Sequence, residues 1–112
     1  MCNATLQPDQ SLSTGQTLTN CKGNVYLAMQ GDGNLVIYGP PGALWSSNTA
    51  GTGANVAVMQ GDGNFVVYAG STPLWASNTA NHPGAFLIMQ DDGNLVVYQG
   101  STPLWSSNTC CW

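Results

Sequence analysis

Residues 59–68 read MQGDGNFVVY, and this stretch decides the fold because its pattern occurs three times in the chain. It returns as MQGDGNLVIY at residues 29–38 and as MQDDGNLVVY at residues 89–98, a spacing of 30 residues each time. A fixed spacing of this kind is the sequence signature of a repeat architecture. The 112-residue chain is therefore interpreted as a single domain, residues 1–112, with an N-terminal segment and three repeats. The repeats span approximately residues 25–49, 55–79 and 85–109.

Each repeat has the sequence pattern of short β-strands. Runs of Val, Ile, Leu, Phe and Tyr are separated by glycine-rich segments, and an Asp-Gly pair between two such runs is a strong hairpin signal. Strands are predicted near residues 25–30, 35–39 and 44–49 and at the equivalent positions of the later repeats. The Ser-Thr-Pro segments at 71–73 and 101–103 are expected to break the chain before the Leu-Trp strands. With two or three more strands from ATLQ, SLST and QTLT near the N-terminus, the sequence predicts an all-β domain of 11 or 12 strands with pseudo-threefold symmetry.

Charged residues are rare in this chain, which has one lysine, no arginine and a formal net charge of −4. Such a chain cannot neutralise a row of phosphates or an anionic bilayer with basic side chains. Binding to nucleic acid and to a membrane surface is therefore excluded, and no apolar run approaches the roughly 18 residues that membrane insertion requires. A surface of Asn, Gln, Ser, Thr, Gly and Tyr suits a partner that is itself neutral and polar.

Five side chains of each repeat are candidates for binding. Strand alternation places the Asn, Val and Tyr of the repeat on one face, and the hairpin folds the preceding Gln and Asp back beside them. The intervening apolar residues fall on the opposite face and are predicted to form the core: Leu35, Ile37, Phe65, Val67, Leu95 and Val97. Amides, a carboxylate and a phenol around an exposed apolar valine fit a small polyhydroxylated ring better than a charged, metal or apolar ligand. The alternative is that these are ordinary turn residues and strand caps. The candidates are Gln30, Asp32, Asn34, Val36, Tyr38, Gln60, Asp62, Asn64, Val66, Tyr68, Gln90, Asp92, Asn94, Val96 and Tyr98.

Each repeat has one tryptophan at the equivalent position: Trp45, Trp75 and Trp105. Aromatic rings can stack on sugars, but the symmetry of the repeats would bring all three to the axis. We therefore expect these tryptophans to form a central core.

Metal and catalytic chemistry find little support in the sequence. Each repeat offers one or two carboxylates, whereas calcium needs about six to eight oxygen ligands, so no metal or other cofactor is expected. His82 has no counterpart in the other repeats and is interpreted as a solvated loop residue. Glycosidases need two carboxyl groups that flank one bond, and Asp91 and Asp92 are merely neighbours in a turn. An enzyme is not expected.

The motif Gln-x-Asp-x-Asn-x-Val-x-Tyr is complete in all three repeats, and it resembles that of the monocot mannose-binding (bulb-type, lily-type) lectin family. SLSTGQTLTN at residues 11–20 also resembles the N-terminal segment of that family. The resemblance implies a β-prism II of three four-stranded sheets with the tryptophans at the centre. A β-trefoil is the alternative fold, because it also has threefold repeats, although they are usually longer.

The same resemblance implies three shallow sugar sites. In each, Asp and Asn would bind the axial 2-hydroxyl of mannose, Gln the 3-hydroxyl and Tyr the 4-hydroxyl, while Val packs on the ring carbons. The expected function is multivalent binding of α-mannose and mannose-rich glycans or glycoproteins, with an agglutinin or defence role. The alternative is a structural or protein-binding β-domain that keeps the motif as turn chemistry. A domain without sugar binding would have no physical need for all five side chains in all three repeats.

The cysteines depart from the family pattern. Plant relatives carry a disulfide that begins between the Asp and Asn of one motif, where this chain has only glycine, at Gly33, Gly63 and Gly93. A bond between the adjacent Cys110 and Cys111 would be strained, so we expect ties between the two ends of the chain or bridges between chains. The cysteines are Cys2, Cys21, Cys110 and Cys111.

Compartment and assembly are further expectations. The even cysteine count and the low charge favour an oxidising compartment, so a secreted or extracellular protein is expected, although no signal peptide is visible. In the family the C-terminal strand is commonly exchanged with a partner's sheet. The resemblance therefore implies a homodimer, covalent or not, because the same strand contacts are made in trans.

Overall fold

The computed structural model describes residues 4–111, and every regular element within them is a β-strand. Each repeat supplies three strands and the N-terminal segment supplies three more, which confirms the prediction of 11 or 12 strands. None of the described residues belongs to a helix that could cross a membrane. The strands are β1 (Thr5–Leu6), β2 (Gln10–Ser13), β3 (Thr17–Thr19), β4 (Tyr26–Met29), β5 (Leu35–Gly39), β6 (Gly42–Ser46), β7 (Val56–Met59), β8 (Phe65–Ala69), β9 (Thr72–Ala76), β10 (Phe86–Met89), β11 (Leu95–Gln99) and β12 (Thr102–Ser106).

The strands form three antiparallel sheets, and each sheet combines one repeat with one strand of the N-terminal segment. The strand orders are β3-β4-β5-β6 for the first repeat, β2-β7-β8-β9 for the second and β1-β10-β11-β12 for the third. The N-terminal segment thus visits all three sheets and completes each one as its fourth strand. This is the β-prism II architecture that the resemblance implied, and the alternative of a β-trefoil is wrong.

Each Asp-Gly turn closes a hairpin, as predicted, through a three-residue loop. In the first repeat, Gly33 N–H donates to Gln30 O at 3.1 Å and Gln30 N–H donates to Asn34 O at 2.9 Å. Gly33 has a φ of 92°, a conformation that disfavours residues with a side chain. A Cβ atom there would also lie 2.9 Å from Thr49 O. Glycine thus lets the turn pack directly against the segment that follows the third strand.

The third strand of each repeat differs from its prediction. The strand predicted at 44–49 is found at Gly42–Ser46, and the three residues after it leave the sheet. Pro73 and Pro103 do not break the chain before the strand but lie inside β9 and β12. Both are edge strands, and Pro73 lies opposite Tyr68 beside a register shift. An edge position with a bulge tolerates a residue without an N–H donor.

The core lies between the three sheets. The intervening apolar residues of the middle strands are completely buried, as predicted: Leu35, Ile37, Phe65, Val67, Leu95 and Val97. Trp45, Trp75 and Trp105 meet with ring centroids 5.2, 5.3 and 5.6 Å apart and planes inclined at 69–73°. This edge-to-face geometry is favourable for aromatic rings. The tryptophans meet at the centre as predicted, but they are only partly buried and pack against the buried core.

The cysteine expectation is wrong for the C-terminal pair, because Cys110 forms a disulfide with Cys111. Thr109 is fixed by a hydrogen bond from its N–H to Asn94 Oδ1, and both cysteines after it are exposed. The two cysteines are therefore bonded to each other and not to the other end of the chain. Cys21 is also disulfide-bonded, and Cys2 lies outside the described residues.

Candidate functional site

The five motif residues of each repeat lie at the outer face of one sheet. In the first repeat, Val36 and Tyr38 alternate along β5 with the core residues Leu35 and Ile37. The turn places Gln30 and Asp32 beside them. We call the three groups sites I, II and III. Site I is Gln30, Asp32, Asn34, Val36 and Tyr38; site II is Gln60, Asp62, Asn64, Val66 and Tyr68; site III is Gln90, Asp92, Asn94, Val96 and Tyr98.

The glutamine and tyrosine of each site are joined directly. Gln30 Nε2 donates to the Tyr38 hydroxyl oxygen, and the same bond recurs at site II and, at 2.7 Å, at site III between Gln90 and Tyr98. Within residues 4–111, Gln Oε1 has no donor and the tyrosine hydroxyl hydrogen has no acceptor. Each pair therefore presents one free acceptor and one free donor.

The aspartate of each site uses one oxygen to hold the turn. Asp32 Oδ1 accepts the Asn34 N–H at 2.9 Å, and the equivalent distances are 3.0 Å at Asp62 and 2.9 Å at Asp92. All three aspartates are exposed. Each aspartate can therefore stabilise the turn and also bind a ligand, because its second oxygen, Oδ2, remains available as an acceptor.

The asparagine of each site is oriented by a segment that sequence reasoning missed. Asn34 Oδ1 accepts the Thr49 N–H at 3.2 Å and the Ser47 hydroxyl at 3.4 Å. Thr49 Oγ1 in turn donates to Gly33 O at 2.6 Å, which ties the segment to the turn. Asn34 Nδ2 is left as a donor with no acceptor in residues 4–111. The same triplet, Ser-Asn-Thr, recurs at 47–49, 77–79 and 107–109, and that repetition was the signal.

The valine of each site is not exposed, contrary to the expectation of an open apolar floor. Val36, Val66 and Val96 are only 3%, 3% and 2% exposed. At site I, Val36 pairs across the sheet with Ala28, and the Gln30–Tyr38 hydrogen bond joins the residues on either side of that row. The valine therefore lies beneath the polar groups as a rigid base.

The free groups of each site form a consistent chemical set. Asp Oδ2 and Gln Oε1 accept hydrogen bonds, while Asn Nδ2 and the tyrosine hydroxyl donate them. A sugar hydroxyl both donates and accepts, so neighbouring hydroxyls on one ring match such a set. No enclosed cavity occurs in residues 4–111, so the three sites are shallow. The described residues contain no cluster of three His, Cys, Asp or Glu side chains that could hold a metal ion.

His82 lies in the loop after the second repeat, as expected, but it is half-buried against site II and not fully solvated. Its N–H donates to Asp62 O at 2.9 Å, and its Nδ1 lies 3.0 Å from Thr79 O. At site I, Gly51 N–H makes the corresponding bond to Asp32 O at 2.7 Å. The linkers after the first and second repeats thus fold back over the turn that carries the site aspartate.

Three solved structures are similar to this chain over almost its whole length. A lectin from Marasmius oreades has a TM-score of 0.88 and 32% identity, with 96% of this chain and 92% of that chain covered. A monocot mannose-binding lectin from Gastrodia elata, described as monomeric, has a TM-score of 0.86 and 38% identity, with 96% and 99% covered. The mannose-specific agglutinin of snowdrop bulbs (Galanthus nivalis), complexed with methyl α-D-mannoside, has a TM-score of 0.80 and 37% identity, with 98% and 100% covered. No protein-family model and no curated protein matches the chain.

Three four-stranded sheets with one polar site on each define a β-prism II domain of the lectin type. The similarity goes beyond the fold, because identity exceeds 30% over nearly complete chains. The chain belongs to the monocot mannose-binding (bulb-type) lectin family. Its neighbours in structure are lectins and not enzymes.

Proposed function

We propose that the protein is a lectin that binds α-D-mannose and mannose-rich glycans at sites I, II and III. The observation that carries the proposal is the set of two free acceptors and two free donors, held over a buried valine, which occurs in all three repeats. Mannose is the sugar that the snowdrop and Gastrodia relatives are described as binding. The alternative of a structural or protein-binding domain is supported by the internal bonds of the motif, but it leaves the four free groups without a role.

Specificity would come from the Asp and Asn of each site. Asp32 Oδ1 and Asn34 N–H are bonded to each other, so the free Oδ2 and Nδ2 of these neighbours can act on one hydroxyl together. We assign this hydroxyl as the axial 2-hydroxyl of mannose, with Gln at the 3-hydroxyl and Tyr at the 4-hydroxyl. Calorimetric titration with methyl α-mannoside, α-glucoside and α-galactoside tests the assignment. Binding of the mannoside alone is expected, and equal binding of the glucoside, which differs only at position 2, would overturn it.

Strength would come from the number of sites. A shallow site with a few hydrogen bonds has a dissociation constant of about 1 mM, and joint engagement of several sites gains about a hundredfold or more. The three sites lie on three different sheets, which suits branched glycans, cell surfaces and agglutination. A mannose-coated surface should bind far more tightly than free methyl α-mannoside. Equal affinities would exclude multivalency as the mechanism.

The homodimer remains a proposal. Within the single chain, β12 pairs with β11 of its own sheet, and exchange of β12 would replace this contact with the same contact in a partner. Cys110 and Cys111 are bonded to each other, so the proposed dimer is not bridged through them. Light scattering at micromolar concentration should give twice the chain mass of 11.7 kDa. A mass of one chain, as for the relative described as monomeric, would leave a monomer with three sites.

Secretion into an oxidising environment is proposed on the same cysteines. Disulfides persist mainly outside the reducing cytosol, and Cys21, Cys110 and Cys111 are all disulfide-bonded. Fractionation of the source cells should place the protein in the secreted or extracellular fraction, and a purely cytosolic location would contradict this proposal.

A further inference from the structure

The residue that faces the site tyrosine across the sheet differs among the three repeats. Tyr26 faces Tyr38 at site I, Val56 faces Tyr68 at site II and Phe86 faces Tyr98 at site III. The two aromatic partners contact the site tyrosine, with ring centroids 5.5 Å apart at site I and 6.0 Å apart at site III. Sites I and III therefore continue into a pair of aromatic rings, whereas site II ends at an aliphatic side chain.

Tyr26 stands out because it is exposed. It is 39% exposed and, with Leu74, is one of two large hydrophobic residues so exposed among residues 4–111. Its hydroxyl has no hydrogen-bond partner in the same range. The ring is tilted by 31° from that of Tyr38, and at this exposure part of its surface is accessible to a ligand beside site I. An exposed aromatic ring with a free hydroxyl offers both an apolar surface and a polar group to a ligand.

We propose that Tyr26 and Phe86 form second subsites that bind the next hexose of a mannose oligosaccharide, and that site II lacks such a subsite. The inference rests on the proposed function, since the first sugar must occupy the site for the second to reach the ring. A hexose presents C–H groups that pack on an aromatic face and hydroxyls that reach the Tyr26 oxygen. A second sugar is a better match than a charged partner, because one lysine and five aspartates are the only formally charged side chains in the chain. The three sites then differ in specificity. Sites I and III bind a disaccharide more tightly than a monosaccharide, whereas site II binds the two with similar affinity.

The test is an NMR titration of the ¹⁵N-labelled full chain that follows the side-chain amide signals of Asn34, Asn64 and Asn94 separately. The ligands are methyl α-mannoside and the α1→2, α1→3 and α1→6 mannobioses. For each site, the affinity for each mannobiose is divided by the affinity for the monosaccharide. This ratio should be about 2- to 10-fold higher at sites I and III than at site II for at least one linkage, the range that an aromatic contact typically contributes.

Three variants locate the effect. Tyr26→Val should lower the ratio at site I to that of site II, and Tyr26→Phe should bring it to that of site III, where Phe86 supplies a ring without a hydroxyl. Val56→Tyr should raise the ratio at site II, and this gain does not depend on whether Tyr26→Val folds well. Thermal melting of each variant accompanies the titrations, since a ring that only stabilises the sheet would change the melting temperature and leave the ratio unchanged.

The outcomes separate the two proposals. Higher ratios at sites I and III that follow the aromatic residue through the variants support the second subsites. Equal ratios at all three sites, or ratios that do not respond to Tyr26→Val and Val56→Tyr, overturn the subsites and leave mannose binding intact. Absence of any shift with methyl α-mannoside overturns the proposed function and the subsites with it.

Discussion

The tryptophan cluster and sites I, II and III repeat equally faithfully in the sequence, but the fold places their copies in opposite ways. At the axis, the ring centroids of Trp45, Trp75 and Trp105 lie within 5.6 Å of one another. At the periphery, each site is built on its own sheet, and its asparagine is held by a hydrogen bond from its own repeat. Repetition alone thus does not distinguish a structural residue from a binding residue. What distinguishes them is whether the symmetry brings the copies together or keeps them apart.

The largest effect is expected at the axis, from Trp75→Ala. This ring is partly buried and contacts both other tryptophans and Phe65, so its loss should cost about 3 kcal/mol, the lower end of the range for a buried aromatic side chain. That is a large part of the total stability of a small domain. The free energy of unfolding in urea should fall by this amount, and all three sites should lose sugar binding at the same denaturant concentration.

Leu74→Ala is the matched control for this substitution. Leu74 is the neighbouring residue in β9 but is 38% exposed, so its truncation should change the free energy of unfolding by roughly 0.5 kcal/mol or less. Equal losses from the two variants would contradict the central role of the tryptophan cluster.

A local effect is expected from Asp62→Ala. Loss of a hydrogen bond to a charged acceptor costs about 1.5–3 kcal/mol, so affinity at site II should fall by about 10- to 150-fold while sites I and III keep theirs. NMR titration with methyl α-mannoside measures the three sites separately.

Asp9→Ala is the control for the carboxylate. Asp9 Oδ1 accepts the Gly61 N–H at 3.0 Å in the same turn, but Asp9 is outside the motif. The Asp9→Ala substitution should leave the affinity of site II nearly unchanged. A loss as large as that of Asp62→Ala would mean that turn geometry, and not the Asp62 carboxylate, determines binding.

A smaller effect is expected from Ser77→Ala, which tests the segment that orients the site asparagine. The Ser77 hydroxyl donates to Asn64 Oδ1 at 3.3 Å, but the Thr79 N–H still holds the same oxygen at 3.2 Å. Affinity at site II should fall only about 2- to 10-fold, because Asn64 loses a single neutral hydrogen bond, which contributes about 0.5–1.5 kcal/mol. Stability should fall as well, because Ser77 Oγ also accepts the Phe65 N–H at 3.0 Å. Titration of the Ser77→Ala and Ser107→Ala variants with methyl α-mannoside measures the two effects. Since Ser107→Ala changes site III, the comparison checks whether each effect stays within its own repeat.

The smallest effect is expected from chelation. Each site has one motif aspartate, which is far short of the oxygen ligands that calcium needs. Binding to a mannose surface should be the same before and after treatment with excess EDTA. A loss that calcium restores would show that a metal ion takes part.

The sequence was most informative where local rules coincide with the repeat. The Asp-Gly turns and the buried residues of β5, β8 and β11 were predictable because they depend on spacing within one repeat. The meeting of the tryptophans was predictable because it follows from the symmetry of the three repeats. The distribution of β1, β2 and β3 over three sheets was not, since pairing of distant segments leaves no local pattern.

The details of the sites were harder to predict for a related reason. The Ser-Asn-Thr triplets read as the end of a strand, yet Asn48 has a φ of 57° and turns the chain back over Gly33. The Gln30–Tyr38 hydrogen bond crosses the Val36–Ala28 pair. Alternation along a strand predicts which face Val36 lies on, but it does not predict that this bond covers it. His82 was misread because its role depends on the carbonyl group of Asp62 in another turn.

The most direct test of the three-site account is a crystal structure of the protein with methyl α-mannoside. The account predicts one sugar on each sheet, above Val36, Val66 and Val96, with its 2-hydroxyl between the Asp and Asn of the site and its 4-hydroxyl at the Tyr. Sugar bound at the tryptophan cluster, or absent from all three outer faces at saturating concentration, would contradict it.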